Sequence, residues 1–164
     1  MSACRVGLGW DIHRLAAGRP LMVGGVRIPA EFGAEGHSDA DALCHAVTDA
    51  LLGAAALGDI GQHFPDSDPR WAGASSLLLL GHALELVCRR GYRLLSVDAT
   101  VVLEQPKLNE YRERIRESLA RTLELPLERI SVKFKTAEKL GPVGEGRAVE
   151  AQAVVTLLSD QPAT

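Results

Sequence analysis

"EFGAEGHSDADALCHAVTDALLGAAALGD", residues 31–59, is where the chain changes from strand to helix, and the rest of the fold can be read outward from it. Ser38, followed three positions later by Asp41, reads as a capping-box-like helix start. Leu43, Val47, Ala50, Leu51 and Ala54 then recur at helical spacing as far as Gly58. Upstream, residues 5–15 alternate around Gly7 and Gly9 and predict a strand. "LMVGGVRIPA" (21–30) predicts a hairpin turning at Gly24–Gly25. Downstream, "GDIGQHFPDSDPRWAG" (58–73) is a loop dense in Gly, Pro and Asp. A helix over 75–90 follows, with Gly91 as its natural C′ residue.

"LLSVDATVVLEQP" (94–106) reads as a strand stopped by Pro106, and "NEYRERIRESLARTLEL" (109–125) as a helix with Tyr111, Ile115, Leu119 and Leu123 on one face. "ISVKFKT" (130–136) and "AVEAQAVVTLL" (148–158) are the closing strands, and residues 159–164 are expected to fray. No repeat or low-complexity linker divides the chain. The economical architecture is a single domain over 1–164, an α/β (α+β) two-layer sandwich with a mixed sheet and helices packed on one face. The helices over 75–90 and 108–123 are expected to supply that cover.

Composition narrows the function. The chain has 164 residues, 46% apolar and 24% charged, and a net charge of −3, which argues against sequence-independent binding to nucleic acid. The basic clusters Arg89–Arg90 and Arg112–Arg116 fall in amphipathic stretches and read as solvated helix faces. Cys4, Cys44 and Cys88 are odd in number and widely spaced, which suits a reducing compartment, and Cys44 and Cys88 are expected in the core. The most apolar run, "LLLLGHALELV" (77–87), contains His82 and Glu85 and is too short to span a bilayer. With no signal-like N-terminus, a cytoplasmic protein with no membrane partner is expected.

Chemistry concentrates in a few places. In "GWDIHRL" (9–15), Asp11 and His13 lie two apart in a strand and so project to one face, beside Gly9. On the following helix, His45 is one turn from both Asp41 and Asp49. Asp11, His13 and His45 make a two-histidine, one-carboxylate set, the donor pattern of a catalytic zinc site with an open position. Spacing alone leaves open a hydrogen-bonded core histidine. "GHSDAD" (36–41) sets His37 and Ser38 just before the helix start, where free N–H groups favour phosphate. Asp59, Asp66 and Asp68 could hold hydroxyls of a polyol, or simply be a solvated acidic loop. "KFKTAEKLGPVGEG" (133–146) places Thr136 and Glu138 at a strand end, where a hydroxyl can position a phosphoryl group and a carboxylate can hold magnesium. In "EQPKL" (104–108), Lys107 follows a strand whose exposed backbone could read a base edge.

Together these segments closely resemble the 2-C-methyl-D-erythritol 2,4-cyclodiphosphate synthases, over nearly the whole chain from Arg5 to about Leu158 and most specifically over residues 37–69. The resemblance implies a homotrimer with active sites between neighbouring chains. It also implies cyclisation of 4-diphosphocytidyl-2-C-methyl-D-erythritol 2-phosphate with release of CMP. Asp11, His13 and His45 would hold Zn2+, and Glu138 a second ion, Mg2+ or Mn2+. His37 and Thr136 would align the reacting phosphates. Ser38 would assist them, Asp59, Gly61, Asp66 and Asp68 would bind the methylerythritol part, and Ile60 and Phe64 would also contact the substrate. Leu103, Pro106, Lys107 and Leu108, with Lys135 and Thr136 of a neighbouring chain, would enclose the cytidine.

The sequence departs from the family pattern at Lys135 and Ala137, where small hydroxyl residues are usual, and at Pro142, where an aromatic residue is common. "GEGRA" (144–148) stands in place of "GRGEG", and Glu145 and Arg147 are expected to pair. Two other classes fit less of the pattern. A metal-dependent phosphohydrolase needs no base-specific wall around Pro106 and Lys107. A non-catalytic trimer with structural zinc needs a fourth protein ligand, and none is evident near Asp11.

Overall fold

The first strand sets the arrangement of the other elements. A computed structural model of the chain describes residues 2–162, and the side-chain surroundings of 4–159. β1 (Ser2–Ala17) is longer than its alternation predicts, because β7 (Ala148–Pro162) pairs with it antiparallel along nearly its whole length. β4 (Phe32–Ala34) joins the other edge of β1. β5 (Tyr92–Val102) lies antiparallel to β7, and β6 (Ile130–Lys135) lies parallel to β5. The sheet order is β4-β1-β7-β5-β6, a mixed sheet as expected. β2 (Leu21–Val23) and β3 (Val26–Ile28) form the predicted separate hairpin. Gly24 and Gly25 both take positive φ at its turn, 58° and 75°.

Three helices cover one face of the sheet. α1 (Ala42–Ala54) lies on β1 and β7; a short α2 (Ile60–His63) follows it. α3 (Ser76–Arg89) packs beside α1 and over β5, α4 (Arg112–Leu123) packs beside α3 and over β6, and a one-turn α5 (Gly141–Gly144) leads into β7. The expectation that residues 75–90 and 108–123 supply the cover therefore misses α1, the helix most closely applied to the sheet. Gly7 and Gly9 explain its position. A Cβ on Gly7 would lie 2.0 Å from the Ala50 carbonyl oxygen, and one on Gly9 would lie 1.9 Å from that of Ala46. The stripe Ala46, Ala50, Ala54, spaced by one turn, thus rests directly on the β1 backbone. The core between the layers is built from Leu43, Val47 and Leu51 on α1, Leu80 and Val87 on α3, Ile115 and Leu119 on α4, and Ala151, Val155 and Leu157 on β7. The opposite face of β1 carries no helix, and there Val6, Leu8 and Trp10 are 66%, 69% and 52% exposed.

Several local expectations need correction. Asp41, not Ser38, caps α1, accepting from the Cys44 N–H at 3.0 Å, and the helix stops at Ala54, before Gly58. β5 ends at Val102, ahead of Pro106, and β6 ends at Lys135, so Thr136 and Glu138 do not continue a strand; Glu138 and Lys139 take left-handed φ values of 51° and 62°. Arg112 and Arg116 are not merely solvated. Arg112 donates to the Val132 carbonyl, and Arg116 donates to those of Ile130 and Leu127, each at 2.8 Å. The Ile130 and Val132 carbonyls belong to β6, the edge strand, where unpaired strand groups invite unwanted pairing, and that of Leu127 lies in the turn before it. Cys44 is buried, but Cys88 is exposed. β7 reaches Pro162, so the tail expected to fray from 159 is strand to that point, and residues 163–164 lie outside the described part. Glu145 and Arg147 do pair, Nε to Oε2 at 2.7 Å, in a turn where both are more than half exposed. Among the described residues no helix is long and apolar enough to cross a membrane.

Candidate active site

Gly7, Gly9, Asp11 and His13 share the face of β1 that α1 covers, as the period of two requires. Because the glycines let α1 lie against the strand, His45 at the end of its first turn reaches the two side chains beyond them. Asp11 Oδ2 lies 2.9 Å from His13 Nε2 and 3.0 Å from His45 Nδ1, and the two ring nitrogens are 3.0 Å apart. The three donors form a nearly equilateral triangle. His13 Nδ1 is 2.9 Å from the Glu35 carbonyl oxygen, which takes the proton on that nitrogen and leaves Nε2 facing the cluster. His45 Nε2 lies against the hydroxyls of Ser76 and Ser38, at 2.9 and 3.0 Å.

The electrostatics match a cation site. Burial alone would push the Asp11 carboxyl up, but hydrogen bonds and charge from His13 and His45 hold it well below the usual carboxylate range. His13 moves the other way: burial opposes its charge, and the hydrogen bond and charge of Asp11 outweigh burial, so its pKa is raised.

Donors held about 2.0–2.1 Å from a tetrahedral zinc sit roughly 3.3 Å from one another, close to the separations observed here. The set is one hard carboxylate and two imidazoles, and among the described residues no fourth His, Cys, Asp or Glu joins it. Its remaining side opens on a hollow of about 380 Å³ lined in part by His13 and His45. The residues fit a catalytic zinc site, with three protein donors and one open direction.

That hollow gathers His37, Ser38, Ile60, Gly61, Phe64 and Asp66. It does not gather Asp59 or Asp68. Asp59 caps α2 by accepting from the Gln62 N–H, and Asp68 holds Arg70 through both carboxylate oxygens. The expected helix-end phosphate cradle at His37 and Ser38 is absent too, since α1 begins only at Ala42. Asp41 shares no site with His45; it is fully buried and clamps the hairpin, accepting from the N–H groups of Gly24 (2.9 Å) and Gly25 (2.6 Å). Asp49 accepts from the Ile60 N–H at 2.7 Å and so ties the start of α2 to α1.

Sequence reasoning missed Trp71 and Leu79 in the lining. Trp71 stacks edge-on against Phe64 with ring centres 5.1 Å apart. "FPDSDPRW" held the signal, since an aromatic residue at each end of a tight Pro-rich turn can meet its partner. Ser76 and Asp39, behind His45, were also missed.

A second hollow of about 250 Å³ brings together Leu103, Lys107, Leu108, Lys135 and Thr136, with Asn109 and Phe134 added, so Lys135 and Thr136 join the other three within one chain and not from a neighbour. Pro106, which follows a cis peptide bond, is outside its lining. Thr136 Oγ1 donates to Glu138 Oε1 at 2.6 Å, at the rim. Glu138 is exposed, and among the described residues it belongs to no cluster of metal-binding side chains. A lone carboxylate suits magnesium or manganese, which take one or two carboxylates and fill their remaining positions with phosphate oxygens and water. The two hollows share no lining residue, so within one chain His37 and Thr136 are not brought together.

Comparison with known proteins agrees with this geometry. The YgbB family model matches residues 4–158. A 2-C-methyl-D-erythritol 2,4-cyclodiphosphate synthase of Solibacter usitatus is 66% identical over 96% of this chain and 99% of its own length. A synthase of the same name from Gloeobacter violaceus is 61% identical over 93% of this chain and 94% of its own. One solved structure of such a synthase superposes with a TM-score of 0.87 at 50% identity, covering 93% of this chain and 99% of that one. A CDP complex from Plasmodium falciparum does so with a TM-score of 0.85 at 33% identity, covering 98% and 99%. A match that runs from one end of β1 almost to the end of β7, in sequence and in structure alike, leaves one assignment: the chain belongs to the YgbB family.

Proposed function

We propose that this chain is a phosphorus–oxygen lyase. It cyclises 4-diphosphocytidyl-2-C-methyl-D-erythritol 2-phosphate to 2-C-methyl-D-erythritol 2,4-cyclodiphosphate and releases CMP, in the non-mevalonate isoprenoid pathway. The observation that carries the reading is the Asp11–His13–His45 triangle with its free side on the 380 Å³ hollow. The relatives named above for this reaction, and the neighbour solved with CDP, supply the substrate class.

The 2-phosphate oxygen attacks the β-phosphorus, a new P–O bond closes the ring, and the bond to the α-phosphate oxygen breaks as CMP leaves. Asp11, His13 and His45 would hold zinc, and Glu138 magnesium or manganese; when bound, these ions supply positive charge against phosphoryl oxygens that would otherwise repel. The protein's task is alignment. His37 and Ser38 orient one phosphate from the first hollow, and Ile60, Gly61, Phe64 and Asp66 hold the methylerythritol part. Asp59 and Asp68 join them by exchanging Gln62 and Arg70 for substrate hydroxyls. In the second hollow Leu103, Lys107, Leu108 and Lys135 enclose the cytidine, with Pro106 shaping the turn, while Thr136 orients the diphosphate.

The reaction needs both hollows at one substrate, and one chain holds them apart. A homotrimer of single-domain chains, with each site formed between neighbours, answers this. The exposed apolar face of β1 supports it, since Val6, Leu8 and Trp10 have no cover within the chain.

Incubation with the cytidylyl substrate, zinc and magnesium, followed by phosphorus NMR, tests the reading. CMP appearing together with the cyclic diphosphate is expected. CMP with an open-chain bisphosphate would instead identify a phosphohydrolase.

A further inference from the structure

Behind the metal-facing side of His45 lies a second layer that no role above uses. Ser76 is fully buried at the first residue of α3. Its hydroxyl donates to Asp39 Oδ1, and its backbone N–H donates to Asp39 Oδ2 at 3.1 Å. A serine hydroxyl has one proton. With that proton committed to Asp39, the oxygen 2.9 Å from His45 Nε2 can only accept. Against that acceptor the favoured form of His45 carries its proton on Nε2, and a neutral imidazole protonated there has its lone pair on Nδ1, the nitrogen facing Asp11 and His13. Ser38 Oγ lies 3.0 Å from the same Nε2 and 3.3 Å from Ser76 Oγ; with the Ser76 proton on Asp39, the Ser38 hydroxyl can donate to Ser76 Oγ and accept from Nε2, as it accepts from the Ala40 N–H.

We infer that Asp39 and Ser76 form a carboxylate–hydroxyl relay that sets the tautomer and orientation of His45, and that they are positioning residues for the metal site. The inference rests on the proposed reading of Asp11, His13 and His45 as metal ligands. His13 obtains the same service from a backbone carbonyl, that of Glu35, which no side-chain substitution can remove. Asp39 and Ser76 are the part of the outer layer that can be altered, and outer partners of this kind are worth about 10–100-fold in metal affinity.

Asp39→Asn is the decisive variant because it keeps the shape and reverses the polarity at Oδ1, the oxygen that takes the Ser76 hydroxyl and, more weakly at 3.3 Å, the Asp41 N–H. The amide oxygen still accepts the Ser76 N–H, but the amide nitrogen donates to the Ser76 hydroxyl. That hydroxyl then turns its proton to Nε2 and demands the wrong tautomer. Zinc affinity, measured by competition with a chromophoric chelator, is expected to fall about 10–100-fold, with the thermal midpoint close to wild type. The ligand-field spectrum of the cobalt-substituted variant should lose tetrahedral intensity. Ser76→Ala should lose affinity similarly, and Ser76→Thr, which keeps the hydroxyl, should restore it. Asp39→Asn with wild-type zinc affinity and cobalt spectrum overturns the inference. So does a set of variants whose affinity follows thermal stability alone. These readouts use the metal without substrate, so they are separate from CMP release. Wild-type protein that turns over substrate beside an unaffected Asp39→Asn variant overturns the relay and leaves the lyase reading standing. An affected variant beside wild-type protein that releases no CMP does the reverse.

Discussion

Gly9→Ala should damage the metal site from a position that touches no ligand. The added Cβ would lie 1.9 Å from the Ala46 carbonyl oxygen and 2.6 Å from the Ala50 nitrogen, both backbone atoms of α1. An ordinary carbon–oxygen contact is roughly 3.3 Å, so helix and strand must separate by about 1.4 Å at that point. Backbone cannot swing aside as a flexible side chain would, and overpacking of this kind costs about 3 kcal/mol. His45 precedes Ala46 and moves with it. Edges of the donor triangle that are now 3.0 Å would open toward about 4 Å, beyond the roughly 3.3 Å of a tetrahedral zinc. The assay is chelator competition for zinc together with chemical denaturation of the metal-free protein. A fall in affinity of about 100-fold or more is expected, at or beyond the upper end for loss of an outer partner. Gly53→Ala on the same helix meets no atom within 4 Å and should leave zinc binding unchanged. A Gly9→Ala protein with wild-type zinc affinity would refute the claim that close approach of α1 assembles the site.

Other consequences are open to simpler measurements. Asp41→Ala leaves the N–H groups of Gly24, Gly25 and Cys44 without their acceptor in a buried setting and should cost about 3 kcal/mol in a denaturant titration; a loss below about 1 kcal/mol would show that water replaces the carboxylate. Glu138→Gln should weaken the magnesium dependence of CMP release while zinc content stays full, because a lone exposed carboxylate is the whole protein contribution proposed there; unchanged dependence assigns Glu138 another role. His13 has a raised pKa, so its proton stabilises the folded, metal-free chain below the ordinary histidine value of about 6.5, and that stabilisation is lost as pH rises through the higher folded value. Zinc competes with this proton, so apparent zinc affinity should rise with pH across that window, and a flat profile would contradict the assignment. Leu8→Glu, at a site 69% exposed in the single chain, should leave its fold intact but reduce the molar mass measured by light scattering from that of the proposed trimer toward that of a monomer; a molar mass equal to the wild type's would place the interface elsewhere.

The parts of the site written into local periodicity were legible. Asp11 and His13 lie two apart on a strand, and His45 sits on a helix whose alanine stripe repeats every four residues. These spacings translate directly into shared faces. Asp39 and Ser76 were not legible, because 37 positions separate them and their meeting depends on how the loop before α1 folds against the start of α3. The roles of the acidic residues escaped for a related reason. Asp41, Asp59 and Asp68 look alike in sequence, yet one is fully buried under the hairpin, one caps a helix, and one grips an arginine. Which of those a carboxylate does is decided by the nearest unsatisfied donor, and only the folded chain reveals it.

The pattern of β1 shows where single-chain reasoning inverts. Placing apolar residues inside would turn Val6, Leu8, Trp10 and Ile12 toward the helices and Gly7, Gly9, Asp11 and His13 toward water. The structure does the opposite: all four apolar residues are exposed and the glycines are pressed against α1. The helix must come within backbone contact for His45 to reach Asp11, and only glycine permits that approach. The apolar side chains are consequently left on the other face, where they would be unfavourable in a monomer. Under the proposed trimer that face is interior, and the inversion becomes consistent. Under the same proposal, close packing on one side of the strand would build the metal-binding half of the site, and association through the other side would bring in the half that binds the nucleotide.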